Sequence, residues 1–435
     1  MPISTVEKQG FKKLMTVMDA KYTLPGRKYF SRTSLPQLYA ECRGKLEEQL
    51  RNVTHFATTT DMWSSRTSEP YMSLTIHYVD KEWNLQSRCL QTAYFPDDHT
   101  AEIIAQGLVE ALASWGLSED RQVCITTDSG ANIVKAASLN NWTRLQCFGH
   151  RLHLAIERSG RDKRIERAVG VCKRVVSAFS YSWKKKRDLA AAQEELKLPQ
   201  HKMVTESPTR WGSRQKMVER VLEQEKAIAQ VLSADKKTRH LVPTWQDIDV
   251  LESFHKALNP LLDFTDALSG EEYVSISYLK PVLQLFNEEV LKHGNDDSEL
   301  TKTIKTAVIK YLNEKYDDTI TDDLLDMASL VDPRFKTKYI KQEKIDTIKA
   351  RAMTEMLEEG GAAGAAGAEG GAAAPTPTPA KKQKKTTLGS FFKKSYTSTT
   401  SGLTEQQAIE AELNNYLLAP DADSETNPLA WWKIH

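Results

Sequence analysis

Apolar and polar residues alternate in the first third of the chain, which is the pattern of strands with one buried face. The alternation is clearest at Met72, Leu74, Ile76 and Tyr78. Asp80-Lys81-Glu82 supplies a turn, after which residues 85–95 can return antiparallel. Together with a β-prone run that ends near Asp61, this pattern predicts three strands over residues 57–95.

A helix and a fourth strand are predicted next. Thr100 precedes a periodic apolar face, and Gly116 is a suitable stop signal. The face consists of Ile103, Ile104, Leu108, Leu112 and Trp115. Residues 123–127 then predict a buried strand that delivers Asp128 to its C-terminal end, before a Gly turn and another helix. Strand, hairpin, helix and strand in this order indicate an α/β sheet.

Helical periodicity dominates both flanks of this region. Residues 1–56 are predicted to be a helical N-terminal segment, whose apolar stripe comprises Leu35, Leu38, Cys42, Leu46 and Leu50. From Ile165 onward, three further stripes predict core-facing helices. They are Ile165, Val169, Cys172, Val176 and Phe179; Met217, Val221, Ile228 and Leu232; and Leu251, Phe254, Leu258 and Leu261.

The composition limits the class of protein. The 435 residues carry a formal net charge of +1, so any nucleic-acid contact must depend on local basic patches. Five scattered cysteines predict reduced thiols in an intracellular protein. No apolar run approaches a membrane span, and the N-terminus lacks the apolar core of a signal peptide. These features predict a soluble protein without a membrane partner.

Asp61 and Asp128 are the candidate metal ligands. Each follows a β-prone run, and the two can meet only if their strands are neighbours in one sheet. Converging carboxylates suit Mg²⁺ or Mn²⁺, which prefer hard oxygen ligands. The alternative interpretation is that Asp128 caps the following helix and that Asp61 opens a turn.

Two segments are candidates for DNA contacts. Arg210 and Trp211 lie in a predicted loop, where arginine beside an aromatic suits phosphate contact and base stacking. The alternative is a tryptophan that packs at a helix start, with Ser213 as the cap. The second segment is a basic run that either contacts phosphates or ends a helix in solvent, namely Lys184, Lys185, Lys186 and Arg187.

Cys147 and His150 form a Cys-x-x-His pair. A structural zinc site requires four ligands and no second close pair exists, so no structural zinc is expected. A set that adds His153 and Cys172 can be drawn. The preferred interpretation is that Cys147 and His150 are half-buried polar groups in the wall of the site, and that His153 is an ordinary helix residue.

Residues 358–404 break the helical pattern. Gly/Ala repeats followed by alternating Pro and Thr predict a disordered linker. It carries a basic run that suits a nuclear import signal, formed by Lys381, Lys382, Lys384 and Lys385. Residues 405–418 then predict a small amphipathic helix.

Five segments in chain order together resemble one family. They are TTDMWSS, ITTDSGANIVKAA, CFGHRLHLAI, TRWGSR and LVDPRFK. In this combination they resemble the hAT-superfamily transposases and, more closely, the domesticated zinc-finger BED-domain proteins derived from them. The resemblance implies an RNase H-like core, interrupted by an all-helical insertion, in which Asp, Asp and Glu hold two divalent metal ions. It implies that Asp61 and Asp128 are the two aspartates.

The resemblance also implies roles for the other candidates. It associates Arg210 and Trp211 with transposon-end DNA, and it places Cys147 and His150 in the family's DNA-handling region.

The chain departs from the family's pattern at two points. No Cys-x-x-Cys pair followed by paired histidines is present, so a BED finger is not expected here. In the family, the third carboxylate lies on a Ser-Glu-Arg-x-Phe-Ser motif downstream of a Pro-Leu-x-Trp-Trp-Lys segment, which here is residues 428–433. Residues 405–435 are therefore expected to be the start of a truncated dimerisation region. A homo-oligomer formed through this incomplete region is one expected partner.

Residues 385–392 resemble the peptide with which proteins bind the replication sliding clamp. Leu388, Phe391 and Phe392 would form an apolar plug on one helical turn, whereas Lys385 stands where that motif usually has Gln. The alternative is a linker that only carries an import signal.

The predicted fold is an α/β RNase H-like core over residues 57–160, followed by an all-helical insertion over residues 161–357. The predicted function is that of a transposase-derived protein of the nucleus, associated with DNA or chromatin, which does not cleave DNA because a third carboxylate is missing. One alternative is a fragment of a cut-and-paste transposase with metal-dependent strand cleavage. The other is a protein-interaction scaffold without DNA binding.

Overall fold

The computed structural model describes residues 2–207, 211–268, 276–366 and 404–435. The chain divides into two units, Met1–Cys147 and Phe148–His435. Arg210 lies outside the described residues, as do the predicted import signal over 381–385 and the predicted clamp peptide over 385–392.

Two helices lead into the first unit, α1 (Gln9–Met18) and α2 (Leu35–Leu50). The apolar stripe predicted for α2 is only partly correct. Its C-terminal residues Leu46 and Leu50 pack against the core of the sheet, whereas Leu35 and Leu38 are about half exposed. Cys42 is exposed as well. Only the C-terminal end of the stripe therefore reaches the core, because helical periodicity identifies a face and not the length over which it is covered.

The predicted sheet is present and has five strands in the order β3-β2-β1-β4-β5. An antiparallel meander is formed by β1 (Phe56–Ser64), β2 (Pro70–Val79) and β3 (Leu85–Tyr94). On the other side of β1 lie β4 (Gln122–Thr127) and β5 (Arg144–Gln146), both parallel. The prediction of three strands over residues 57–95 is confirmed. The parallel strands require crossovers, and these are helical, as expected for such connections.

The two crossover helices are α3 (Ala101–Ala113) and α4 (Ala131–Leu139). Thr100 caps α3 by accepting a hydrogen bond from the Ile103 amide, so the predicted start is correct. One stripe of α3 packs with the apolar face of the sheet, formed by Ile104, Leu108 and Leu112. Ile103, predicted to share that face, is 37% exposed, because it lies one position, about 100°, around the helix from Ile104.

The second unit is helical throughout its regular elements. They are α5 (Phe148–Ser159), α6 (Lys163–Ser180), α7 (Trp183–Glu195), α8 (Trp211–Glu223), α9 (Glu225–Ala234), α10 (Trp245–Leu268), α11 (Leu279–Leu285), α12 (Glu299–Lys315), α13 (Thr319–Leu330), α14 (Ile345–Ala366), α15 (Glu405–Leu418) and α16 (Pro428–Ile434). All three predicted core stripes from Ile165 to Leu261 are buried. Helical periodicity was sufficient here because each stripe is internal to one element or one helix pair.

The boundary between the units lies at residues 147/148, not at 160/161 as the pattern suggested. Helix α5 belongs to the helical unit because its buried residues Leu152, Ala155 and Ile156 share a core with α6 and α10. At the other end of the unit, α14 continues to Ala366, so the first part of the predicted linker is helical. Alanine is the strongest helix former, which offsets the low helix propensity of the interspersed glycines.

The C-terminal helices are seated on a tight turn after α13. Tyr416 donates a hydrogen bond to the Leu330 carbonyl (2.9 Å), and the indole of Trp432 donates one to the Val331 carbonyl (2.9 Å). Phe335 of that turn is buried. No helix of the described ranges is long and apolar enough to cross a membrane.

Candidate functional site

Asp128 lies immediately after β4, where the chain turns into α4. Its Oδ1 accepts a hydrogen bond from the Gly130 amide (3.0 Å). A side chain at Gly130 would place its Cβ 3.3 Å from that same oxygen, so the close approach of the turn favours glycine. The alternative interpretation that Asp128 caps the helix is wrong, because the cap residue of α4 is Gly130 and no side chain caps its first turn. One carboxylate oxygen closes the turn before the helix, and the other has no hydrogen-bond partner in the described part of the chain.

Arg144 holds the backbone behind this carboxylate. Its guanidinium donates to Thr127 Oγ1 (2.8 Å) and to the Asp128 carbonyl (2.6 Å). The arginine therefore fixes the end of β4 without neutralising the Asp128 side chain directly. This role was not predictable from local sequence, because Arg144 follows Asp128 by sixteen residues and lies on β5.

Asp61 is inside β1 and not at its end, so the interpretation that it opens a turn is wrong. Strand β1 continues to Ser64 because β2 pairs with it along the whole distance, including Asp61 opposite Ser73. The parallel neighbour β4, in contrast, pairs with β1 only up to Thr59 opposite Thr126. The Asp61 carboxylate accepts a hydrogen bond from the Met62 amide (2.9 Å).

The strand register places the two aspartates beside each other. Asp61 is two residues beyond Thr59 and Asp128 is two beyond Thr126, which are partners in the parallel pair. Both aspartates line one cavity of about 230 Å³ at this edge of the sheet. The expectation that their strands are neighbours is thus confirmed. Asp61 is exposed and Asp128 is half-buried.

Besides Thr60, two polar residues line the cavity that were not among the candidates predicted from the sequence. They are His99 and Asn132. His99 Nε2 donates to the Phe95 carbonyl (3.1 Å), and Asn132 Nδ2 donates to the His99 carbonyl (2.6 Å). These bonds tie the loop before α3 to the first turn of α4. His99 precedes a cap residue and Asn132 follows the Asp-Ser-Gly-Ala run, so their sequence signal was local turn chemistry only.

The donor set of this cavity fits a divalent cation. Asp61 and Asp128 supply hard oxygen ligands, and Mg²⁺ is commonly held by one or two carboxylates with water completing its shell. No lysine or arginine is among the described residues that line the cavity. Within the described ranges, neither aspartate forms an ion pair. Asp61 and Asp128 are also the only carboxylates among the described lining residues.

Another acidic cluster has its charge neutralised internally. Among the described residues, Asp322, Asp323 and Asp326 are the one group of three or more potential ligands close enough to share an ion. Lys344 forms ion pairs with Asp322 and Asp323 (2.7 and 2.8 Å), and Lys280 with Asp322 (2.7 Å) and Asp326. The hydrogen bonds that Lys344 donates to Asp322 and Asp323 raise the pKa of Lys344. The cluster is therefore an ion-pair network.

The basic run after Trp183 divides into paired and unpaired residues. Lys185 is mostly buried and forms an ion pair with Asp235 (3.3 Å). Arg187 pairs with its neighbour Asp188 (2.8 Å). Lys184 and Lys186 are exposed and form no ion pair within the described ranges. These two lysines carry the free charge of the run.

Cys147 and His150 lie on different elements. The Cys147 amide donates to the Thr127 carbonyl (3.0 Å), so the residue follows β5, and His150 is on α5. Both side chains are half-buried, as predicted. Cys172, from the wider set that could be drawn, is buried in the helical core, and burial raises the pKa of its thiol to about 12.

Trp211 begins α8, and the side chain of Ser213 in the same helix bonds the backbone of Ser207. The Ser213 hydroxyl accepts from the Ser207 amide (2.6 Å) and donates to the Ser207 carbonyl (3.1 Å). Arg214, the second arginine of this motif, forms ion pairs with Glu157 (2.8 Å) and Glu206 (3.1 Å). Arg214 of this motif is therefore structural, since it joins α8 to Glu157 and Glu206.

The chain is similar to proteins of two kinds. Residues 59–146 match the family model of the ZBED1 RNase-like domain, and residues 145–257 match that of the ZBED1 RNase-like helical domain. Zinc finger BED domain-containing protein 4 of Homo sapiens is 27% identical over 82% of this chain and 31% of its own length. The putative AC transposase of Zea mays is 22% identical over 78% of this chain and 44% of its own length.

A third relative covers more of the chain. Zinc finger BED domain-containing protein DAYSLEEPER of Arabidopsis thaliana is 22% identical over 93% of this chain and 60% of its own length. The chain spans less than two thirds of the length of each of these three relatives. The division between the two matched domains falls where the structure divides its two units. With an RNase-like sheet and a helical domain, the chain is similar to AC-type transposases and to zinc finger BED domain-containing proteins.

Proposed function

We propose that this chain is a transposase-derived nuclear protein that associates with DNA and holds a divalent cation at Asp61 and Asp128 without cleaving strands. The observation that carries the proposal is the cavity that Asp61 and Asp128 both line, where neither carboxylate forms an ion pair within the described ranges. Carboxylates that neighbour each other without a cation repel, so a sheet that keeps both together is suited to bind a cation.

The ligand best suited to this cavity is Mg²⁺ or Mn²⁺. Asp128 would contribute the oxygen that the turn leaves free, and Asp61 would contribute the one not bonded to the Met62 amide. Arg144 would keep the Asp128 backbone in place as the cation binds. When bound, such an ion supplies charge stabilisation to phosphate oxygens.

Strand cleavage makes a larger demand on the protein. Two-metal phosphoryl transfer needs a clamp on both the attacking and the leaving oxygen. The described cavity residues supply two carboxylates, and no third acid accompanies them there. Loss of one member of a catalytic unit typically costs several orders of magnitude in rate. We therefore assign residues 1–435 a binding role, while the relatives named transposases make cleavage the alternative to be tested.

The DNA association would depend on local basic patches, since the whole chain is nearly neutral. Arg210 and Trp211 are candidates for this role, together with Lys184 and Lys186. Localisation in the nucleus would use the basic run over 381–385. Neither assignment depends on the carboxylate pair, so binding and catalysis can be measured separately.

The first prediction concerns binding without turnover. Purified residues 1–435 should retard a labelled duplex in a mobility-shift assay and should leave it intact after incubation with Mg²⁺ or Mn²⁺ on a denaturing gel. Asp128→Asn should bind the same duplex with unchanged affinity, because phosphate contacts do not need this acid.

The outcomes separate the three candidate functions. Nicking by the unmodified chain that disappears in Asp128→Asn would replace our proposal with that of an active transposase fragment. Absence of any retardation at low salt would favour an interaction scaffold, since phosphate contacts are strongest there. Asn141→Asp, at an exposed position after α4, is a control that changes the charge of the same unit without changing the cavity lining.

A further inference from the structure

A second basic segment lies beside the run at 184–187, although fifty residues separate them in the sequence. Lys185 Nζ contacts Asp235 Oδ2 (3.3 Å) and Thr238 Oγ1 (3.1 Å). This contact joins the turn between α6 and α7 to the loop that follows α9. That loop reads Asp-Lys-Lys-Thr-Arg-His over residues 235–240, and the sequence analysis did not single it out.

The two segments form one positively charged surface, which we name the basic–aromatic surface. It consists of Tyr181, Trp183, Lys184, Lys186, Lys236, Lys237 and Arg239, all of which are exposed. Within the described ranges, none of its five cations forms an ion pair.

The acid within this surface is already occupied. Asp235 Oδ1 accepts the Lys237 amide (2.9 Å), and Oδ2 faces the Lys185 ammonium. Oδ1 therefore closes the loop on itself, and Oδ2 holds the loop against α7. Lys185 and Asp235 form a structural ion pair, and the unpaired cations around them are available to bind an anion.

The cations are not placed where they would support folding. Lys184, Lys185 and Lys186 occupy the first turn of α7, which contains no acidic residue. Positive side chains are unfavourable at the positive end of a helix dipole and favourable at the other end. Charges placed against a local rule are typical of residues retained for binding.

Two aromatic rings stand in solvent among these charges. Tyr181 is 91% exposed and Trp183 is 74% exposed. They flank Ser182, whose hydroxyl caps α7 by accepting from the Lys185 amide (3.3 Å). The Arg187 guanidinium lies 5.5 Å from the centroid of the Trp183 ring. Rings this exposed contribute little to the core, and both Tyr181 and the Trp183 face opposite Arg187 are open for stacking.

A shallow groove continues the surface along α6. It has a volume of about 380 Å³ and is lined by Lys173, Arg174, Ser177, Ala178 and Leu241. Ser177 and Ala178 precede Tyr181 by one helical turn, and Leu241 follows the basic loop in sequence. Arg174 is exposed and forms no ion pair within the described ranges. The groove thus extends the charge past the aromatic pair.

We propose that the basic–aromatic surface binds DNA with unpaired bases, with its cations on phosphates and the rings of Tyr181 and Trp183 stacked on bases. This combination of a positive groove with exposed rings is how single strands are held without sequence preference. A regular duplex would engage the cations but would leave both rings unused, because its bases are already stacked. The inference rests on the proposed DNA association and adds a surface and a DNA form to it.

The test compares one oligonucleotide as a single strand and as a duplex, by fluorescence anisotropy with residues 1–435. Replacing both Tyr181 and Trp183 by Leu should weaken single-strand binding about ten-fold and change duplex binding little. Trp183→Phe in the otherwise unmodified chain should keep most of the affinity, since a phenyl ring still stacks. All these positions are exposed, so unchanged thermal unfolding serves as the folding control.

The charge of the surface is tested independently. Lys184→Glu combined with Lys236→Glu should weaken both DNA forms and should lower the salt dependence by about 0.7 in log–log slope per lost single-strand phosphate contact. The matched control is Lys302→Glu with Lys310→Glu, two lysines on α12, whose effect should be small.

Three results would overturn the inference in different ways. Unchanged single-strand affinity in the double Leu variant removes the stacking role. If the surface variant and the control variant weaken binding equally, the basic–aromatic surface is not the binding site. The proposed DNA association would still hold in that case, provided that the unmodified chain binds the duplex. Absence of binding to either DNA form at low salt removes both proposals.

Discussion

Two aspartates of this protein lie in turns that follow a regular element, and they differ in what their carboxylates do. Asp128 follows strand β4 in the first unit, and Asp332 follows helix α13 in the second. Asp332 is 3% exposed and receives three hydrogen bonds from Arg334, namely from its amide, from Nε and from Nη2 (3.0, 2.9 and 2.6 Å). Asp128 is half-buried and receives one, from the Gly130 amide.

The partners of Arg334 extend this difference. Its guanidinium also donates to the Tyr278 hydroxyl and lies 4.3 Å from the centroid of that ring. Nearby, the Lys336 ammonium donates to the carbonyls of Ala419 and Pro420. An acid whose oxygens are all satisfied within the protein is structural, whereas one that leaves an oxygen at a cavity is available to a ligand. The number of hydrogen bonds that the carboxylate accepts, more than the surrounding motif, distinguishes a structural aspartate from a ligand-binding one.

The largest expected effect would come from removing the satisfied acid. Asp332→Ala should lower the free energy of unfolding of the helical unit by about 3–5 kcal/mol, because it leaves the Arg334 charge buried and unpaired. Urea unfolding should report the loss, and hydrogen exchange should increase at α13 and α15. Asp128→Ala, the matched change at the open acid, should cost less than about 1 kcal/mol.

A double variant checks the cause of that loss. If the ion pair is responsible, Asp332→Ala with Arg334→Ala should cost clearly less than the two single losses added together. The comparison would fail if Asp128→Ala and Asp332→Ala destabilised the protein equally.

A smaller effect is expected at low pH, where another satisfied acid can be titrated. Burial opposes the charge of Asp297, but hydrogen bonds from Lys305, from the Gly294 amide and from Lys256 outweigh it and hold its pKa well below the ordinary 3.8. A carboxyl whose folded-state pKa is depressed stabilises the protein above the unfolded-state value. That stability should decline as the pH falls below 3.8 toward the folded-state pKa.

Asp297→Asn should therefore cost about 2 kcal/mol near neutral pH and should reduce the loss of stability on acidification. Thermal unfolding from pH 7 down to pH 3 measures both. If the variant and the unmodified chain lost stability in parallel over this range, Asp297 would not be among the acids that drive the loss.

The smallest expected effect is on stability and concerns Asp61 and Asp128, the two acids that line the cavity. Mg²⁺ or Mn²⁺ at ten times its Kd should stabilise the unmodified chain by about 1.4 kcal/mol, because it binds the folded state. Asp61→Asn and Asp128→Asn should each abolish this shift, with little change in stability when no metal is added. Asp332→Asn should be less stable and should still respond to the metal. A metal-induced shift retained in both cavity variants would place the cation elsewhere.

Much of the fold was accessible from local patterns. The alternation at Met72–Tyr78 and the stripes on α6, α8 and α10 predicted elements correctly, because the period of apolar residues within one element is set by that element's own geometry. Thr100 as a cap was predictable for the same reason. The errors lay where an element's extent depends on its neighbours. Strand β1 passes Asp61 because β2 extends it, and the stripe on α2 is covered only at one end.

The sequence by itself determined that Asp128 follows a strand and that the second unit is helical, because these follow from short-range turn chemistry and periodicity. Only the tertiary structure decided that Asp61 and Asp128 line one cavity, that Arg144 fixes the end of β4 and that His99 and Asn132 complete the cavity wall. It likewise decided that Lys185 joins two basic segments. Each of these depends on pairing between residues distant in the chain, which is selected by the packing of the whole unit and leaves no periodic trace in the sequence.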